Sequence, residues 1–275
     1  RAPNRGTTRH LREFSLHTEF IRNEPLRMKN STGLTRSLFT ELITILKASG
    51  LDFDVPPILG LATAVKITCK YLRRNRTQAD IADDYGVSQP TISRAITAVT
   101  PALAQALTEL VPTAEDLPTG VAYLIDGSLL PCWSWTDKPG LYSGKHHTTG
   151  VNIQVATSLE GRILWVSDPL PGSTHDVTAL DTHGLLDGHD PAQFIADKGY
   201  TGRGMTTPVK KPIGGELPEC DKTYNTSVNK LRWPIEQAIS HLKNWRILHT
   251  DYRRPFNTLS TTLTAVLGLY FFTTP

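Results

Sequence analysis

After residue 120 the chain alternates short apolar runs with turn-forming residues, and two of those runs stop at an aspartate. Val121–Ile125 leads into Asp126 (Tyr-Leu-Ile-Asp-Gly-Ser), and Gln193–Ala196 leads into Asp197 (Phe-Ile-Ala-Asp-Lys-Gly-Tyr). Runs of this length, bounded by turn signals, read as buried strands. Between them, Gly150–Ser158 alternates Val151, Ile153 and Val155 with Asn152 and Gln154, and Arg162–Asp168 follows across a hairpin at Gly161. Pro169–His175 reads as a loop and Asp176–Leu186 as a helix with Asp176 in its first turn. The order strand, strand, strand, helix, strand predicts an α/β layer. A helical crossover returns the chain to the sheet and sets the fourth strand parallel to the first. The carboxyl ends of those strands then lie together, bringing Asp126 near Asp197.

A Gly/Pro-rich loop, Gly199–Pro218, precedes a long helix over Lys222–Ile247, interrupted or started near Pro234. Glu236, Ser240 and Lys243 fall at i, i+4 and i+7 and share a face, joined by Arg232 if the helix runs back through Pro234. Two carboxylates at strand ends and a third on a late helix suit a pair of Mg²⁺ or Mn²⁺ ions, which prefer carboxylate oxygen and water. In such sites one ion activates a water or a DNA 3′ hydroxyl and the other steadies the leaving oxygen. The competing reading of the helix alone is a solvated surface with ordinary ion pairs.

The first third of the chain is helical in pattern. Leu34–Leu46 and Ile58–Leu72 have helical spacing, the second ending in Lys66, Lys70, Arg73, Arg74 and Arg76. Thr77–Ile96 reads as helix, tight turn at Gly86, then helix. Ile81, Ala82, Ile92 and Ile96 face inward, and Thr77 and Ser88 are N-caps. That is a helix-turn-helix, about 77–98, whose second helix presents its first turn to the DNA major groove. Ser88, Gln89, Thr91 and Arg94 are predicted to point outward. An ordinary helical hairpin is the alternative. The turn-rich stretch Val111–Gly120 divides a helical domain, 34–112, from an α/β domain, 121–275.

The net charge of +3 does not by itself argue for nucleic acid, but its distribution does. Residues 1–36 hold eight Arg or Lys against three Glu, so a basic arm over 1–33 favours a polyanion. Cys69, Cys132 and Cys220 form neither a CxxC pair nor a His/Cys zinc spacing, which predicts a reduced, intracellular protein. No signal peptide is evident. The longest apolar stretch, Ala265–Phe272, is too short to span a bilayer and reads as a packed helix, so no membrane partner is expected.

Five motifs occur in order: Asp126-Gly-Ser; Ser143-Gly-Lys-His-His-Thr-Thr-Gly-Val-Asn-Ile-Gln154; Pro171-Gly-Ser-Thr-His-Asp176; Ala196-Asp-Lys-Gly-Tyr200; and Arg232-x-x-x-Glu236-x₆-Lys243. In them residues 77–272 resemble the bacterial insertion-sequence transposases with a DDE catalytic domain, in the branch similar to eukaryotic Harbinger elements. The resemblance implies a ribonuclease-H-like catalytic domain after an all-α helix-turn-helix domain, with two-metal phosphoryl transfer by Mg²⁺ or Mn²⁺. It implies double-stranded DNA partners (terminal inverted repeats and target DNA), a homo-oligomer on DNA, and action in the bacterial cytoplasm at the nucleoid. Asp126 matches the first catalytic Asp and Glu236 the Glu; Arg232 and Lys243 match the family's associated cations, expected on DNA. The family's tyrosine three residues before that Arg is absent, since position 229 is Asn. For the middle Asp, Asp197 fits the strand order as metal ligand, with Asp176 the alternative. His146, His147, Lys210 and Lys211 are candidate phosphate contacts or solvated loop residues. Trp133 and Trp135 either stack on an unpaired base or brace the first strand. A regulator that binds DNA without cutting it, and a nuclease that cuts without joining, are the competing functions.

Overall fold

This computed structural model describes residues 28–133 and 137–274. Most of the basic arm and Trp135 lie outside that range. The chain divides into two compact units, 1–106 with 272–275, and 107–271.

The first unit is helical. Helix α1 (Arg36–Ala48) is capped by Thr35, whose hydroxyl accepts from Leu38 N at 3.3 Å. Helix α2 (Gly60–Arg74) stops where Asn75 turns left-handed, φ 46°. The helix-turn-helix follows as α3 (Gln78–Tyr85) and α4 (Gln89–Ala106). Thr77 Oγ1 accepts from Asp80 N at 3.2 Å, the side-chain cap that an extended N-cap threonine supplies. Gly86, φ 62°, ends α3, and Val87 N donates to Ala82 O at 3.1 Å, closing the turn. Leu42, Leu46, Ile67, Leu72, Ile81, Ile92, Ile96 and Leu103 are buried and form the helical core. Ser88, Gln89 and Arg94 are exposed, as the spacing predicts. Thr91 is not: it is 8% exposed, with its hydroxyl 2.9 Å from Ser88 Oγ. The helix start needs its hydroxyls for its own first turn, so Thr91 faces in rather than out. The basic end of α2 is partly neutralised, since Lys70 and Arg76 pair with Asp84, and Arg76 also with Asp80.

The second unit is mixed α/β. Its strands are β1 (Tyr123–Pro131), β2 (Tyr142–Ser143), β3 (Thr148–Thr157), β4 (Ile163–Val166), β5 (Leu170–Pro171) and, after α5 (Asp176–His183), β6 (Phe194–Ile195). The sheet order is β2-β3-β1-β6, with β4 and β5 also on β3. The hairpin β1–β3 is antiparallel and β6 lies parallel beside β1. The first strand does not end at Asp126. It runs on to Pro131, because β3 offers a partner at every residue from Leu124↔Thr157 to Pro131↔Gly150. Asp126 therefore sits in mid-strand. Helix α6 (Glu219–Leu242) runs unbroken through Pro234, and α7 (Leu259–Thr273) closes the unit. Among the described residues no helix is long and apolar enough to cross a membrane.

Successive strand residues face opposite sides. On one face Tyr123, Ile125, Phe194 and Ala196 pack with Leu180, Leu185 and Tyr200, and the Tyr123 and Phe194 rings stack at 5.4 Å. On the other, α6 packs on β1 and β3 and buries Val228, Ile235, Ala238 and Leu242.

Candidate active site

Parallel pairing sets the first two carboxylates. Leu124 pairs with Ile195, the last residue of β6, and Asp197 follows two residues on, close enough to Asp126 to act on its carboxyl. Asp126 Oδ1 accepts from Gly127 N at 2.9 Å, and its Oδ2 lies 3.4 Å from Arg232 Nη2 on α6. Burial pushes the Asp126 carboxyl up to about 6, against the pull of Arg232 and with the added repulsion of Asp197 and Asp176. Asp197 follows β6 and caps the next turn, its Oδ1 accepting from Gly199 N at 2.7 Å.

Arg232 is itself buried, and its Nε has no hydrogen-bond partner among the described residues. Lys243, at the end of α6, is half-buried; burial lowers its pKa while Asp126 pulls the other way. Arg232 and Lys243 thus share the side of the helix that faces Asp126. Glu236 lies one turn on from Arg232 on that side and is exposed. The structure brings Asp126, Asp197, Arg232 and Lys243 together. It does not gather Glu236 with the two aspartates: among the described residues no three His, Cys, Asp or Glu side chains stand at metal-ligand spacing. The donor chemistry at the centre is that of a hard divalent cation. It consists of carboxylate oxygens, one with its charge held at a cost and only partly offset by an arginine.

Asp176 is placed differently. It starts α5 and reaches β1 from the other face, over Gly127. A Cβ on Gly127 would come 2.3 Å from Asp176 Oδ1, so only glycine admits it there. Asp176 Oδ1 accepts from Asn152 Nδ2 at 3.0 Å and Oδ2 from Lys145 Nζ at 2.7 Å. Burial raises its pKa, but these donors outweigh that and hold it below the usual range. Gln154, fully buried, donates to Asn152 Oδ1 at 3.0 Å and accepts from the Tyr200 hydroxyl. The Ser143–Gln154 and Ala196–Tyr200 motifs are therefore joined through the middle of the sheet.

Lys145 joins the site without having been marked by residue type or spacing. Burial works against its charge, yet Asp176, Asp197 and Asp126 hold its pKa above the ordinary value. The available signal was Asp176 itself, a motif acid with no assigned partner. The remaining candidates His146, His147, Trp133, Lys210 and Lys211 are exposed, and of these His146 stands close enough to Lys145 for the ammonium to lower its pKa, after burial.

Residues 125–270 match the DDE superfamily endonuclease family, and residues 68–109 match the helix-turn-helix of DDE superfamily endonuclease. The "Putative transposase for insertion sequence element IS112" of Streptomyces albus G is 28% identical over 231 residues, 82% of this chain and 87% of that protein. The "Probable transposase for insertion sequence element IS702" of Microchaete diplosiphon is 24% identical over 261 residues, 89% of this chain and 93% of that one. No solved structure is significantly similar to the chain. With its helix-turn-helix ahead of a matched catalytic region that spans more than half its length, the chain belongs to the DDE superfamily endonuclease family.

Proposed function

We propose that the chain is the transposase of an insertion sequence: it binds the terminal inverted repeats of its element and cuts and joins DNA there. Its curated relatives carry that name, and DDE superfamily endonuclease domains use divalent metal ions. The observation that supports the reading is the parallel β1/β6 pair, which leaves Asp197 near enough to Asp126 to add to the burial that pushes the Asp126 carboxyl up to about 6. Two neighbouring acids, one of them buried so that its charge is costly despite Arg232, suit a cation.

Asp126 and Asp197 would hold two Mg²⁺ or Mn²⁺ ions, and Glu236, on the face of α6 that already presents Arg232 and Lys243, would complete the ligand set. Bound there, the ions supply an activated water or 3′ hydroxyl and stabilise the leaving oxygen. The chain's own residues do the rest. Arg232 offsets charge at Asp126, and Lys243 adds a second cation on that side. Ser88, Gln89 and Arg94 face the DNA groove. The parallel β1/β6 pair supports a ribonuclease-H-like arrangement for residues 121–275, with 34–112 as the DNA-binding domain. Joining two ends implies a homodimer or larger assembly on DNA, and the place of action is the nucleoid of a bacterial cytoplasm.

The test is ion-dependent cleavage and joining of labelled DNA carrying the element's ends, with binding measured separately. Asp126→Ala, Asp197→Ala and Glu236→Ala are expected to bind and not cut. A wild-type chain that binds the ends but cuts with neither ion would turn the reading to a regulator. Cutting without joining would turn it to a nuclease.

A further inference from the structure

One cavity adjoining the carboxylates is left unused by the metal chemistry. It holds about 250 Å³, opens beside Ser128, and is walled by Lys145, His146, Asn152, Ser173 and Thr174 together with Asp176. Its polar lining is the hydroxyls of Ser128, Ser143, Ser173 and Thr174, which can donate or accept, with the Lys145 ammonium, while Asn152 spends its amide hydrogens on Thr174 O and Asp176 Oδ1. The one carboxylate, Asp176, has both oxygens already engaged, by Lys145 and Asn152. An ammonium has three hydrogens to give, and Asp176 takes one. The Lys145 side chain is 56% exposed and lines the cavity. A hydroxyl-lined cavity with a half-exposed cation, beside the proposed cutting centre, suits a phosphate oxygen.

The ion pair is also built with more care than a surface contact needs. Exposed pairs contribute little and require no support. Here the Asp176 side chain is 12% exposed. Its rotamer is fixed by Asn152, which also bonds Thr174 O at 3.0 Å, and Asn152 is fixed in turn by Gln154 and Tyr200. Gly127 leaves the space the carboxylate occupies. Buried, fully satisfied relays of this kind define one geometry. What they define here is where the Lys145 ammonium stands.

Resting on the reading of the chain as a DNA-cutting enzyme, we propose that this cavity binds a backbone phosphate of the DNA strand next to the one being cut. Lys145 is the contacting cation and Asp176 the positioning residue that holds it. The ammonium then anchors the strand from the α5 side while Arg232 and Lys243 meet it from the α6 side, so the strand is gripped on both sides of the scissile bond.

The test uses the full chain and a labelled random-sequence duplex in EDTA, following affinity against salt. Lys145→Gln should weaken binding and lower the slope of log affinity against log salt by about 1, the signature of one lost phosphate contact. Lys145→Arg should restore the slope. Asp176→Asn should bind as well as wild type or tighter, having lost a negative charge. With Mg²⁺ and the element's ends, its kcat should fall on the order of 10- to 100-fold, the cost of a misplaced contact. An unchanged slope in Lys145→Gln, or a wild-type kcat in Asp176→Asn, overturns the proposal. A wild-type chain that does not bind the duplex at all overturns the DNA-enzyme reading instead, and one that binds but never cuts leaves the slope as the deciding result.

Discussion

Asp126→Asn is expected to make the folded protein more stable while abolishing cleavage. An ordinary aspartate titrates near 3.8, and in the folded chain Asp126 is pushed up to about 6. At about 1.4 kcal/mol per pH unit, that gap makes the ionised carboxylate about 3 kcal/mol worse off folded than unfolded. The sign follows from proton binding. Between pH 3.8 and 6 the folded state holds more protons, so the wild type loses stability as pH rises through that window. A neutral amide does not titrate and keeps what the wild type loses. With relaxation around the amide, the expected advantage is about 1–3 kcal/mol at about pH 8, shrinking toward zero by about pH 4. All five tryptophans, Trp133, Trp135, Trp165, Trp233 and Trp245, lie in the 107–271 unit, so denaturant titration by tryptophan fluorescence reads the unit that carries Asp126. Adding Mg²⁺ should raise the wild type and leave the variant unmoved, because only the wild type gains a bound ion on folding. An Asp126→Asn protein that is less stable than wild type at the higher pH, or whose gain is the same at both pH values, would refute the account of a carboxylate held at a cost.

Gly127→Ala should disturb both acid systems, since its Cβ would stand 2.3 Å from Asp176 Oδ1 and 3.1 Å from Gln154 Nε2. A loss of about 1–3 kcal/mol in the same titration and a marked drop in cleavage are expected; a variant matching wild type in both would remove Asp176 from its place over the strand. Gly86→Ala puts a side chain at φ 62° with nothing within 4 Å of the new carbon, so its cost is backbone strain alone, about 1–2 kcal/mol. That should weaken DNA binding measured by anisotropy, with the 107–271 unit unfolding as before.

The parts of this molecule legible in its sequence are those set by local rules. Thr77 and Gly86 announce their cap and turn by residue type alone. The return of the chain beside its first strand follows from an intervening helix, and that brings Asp197 near Asp126. What escapes depends on partners distant in sequence. Nothing near Asp126 says that its strand continues; the ten residues of β3 do. Pro234 reads as a break, yet α6 carries it where the helix packs on the hairpin turn at Gly161, whose Cβ would lie 2.8 Å from Pro234 O. Spacing alone points Thr91 outward, but a helix start also has to satisfy its own hydroxyls. Lys145 carries no local signal, and its role becomes visible only when Asp176 arrives from 31 residues away. Glu236 is legible as a helical-face residue, and it lies exposed on the side of α6 that carries Arg232.

The strand that brings Asp197 to the site is two residues long and sits at the end of the sheet order. So short a ladder contributes little holding force, and the alignment rests on the stacked Tyr123 and Phe194 rings and the apolar residues around them. The two carboxylates can therefore be parted by a local opening that leaves β1 and β3 paired. In hydrogen exchange, Ala196 N, which donates to Thr206 O at 3.0 Å, would trade its proton well before the β1–β3 ladder does. The Asp197 side of the site is thus expected to be the part of the sheet that opens first, ahead of the long β1–β3 ladder.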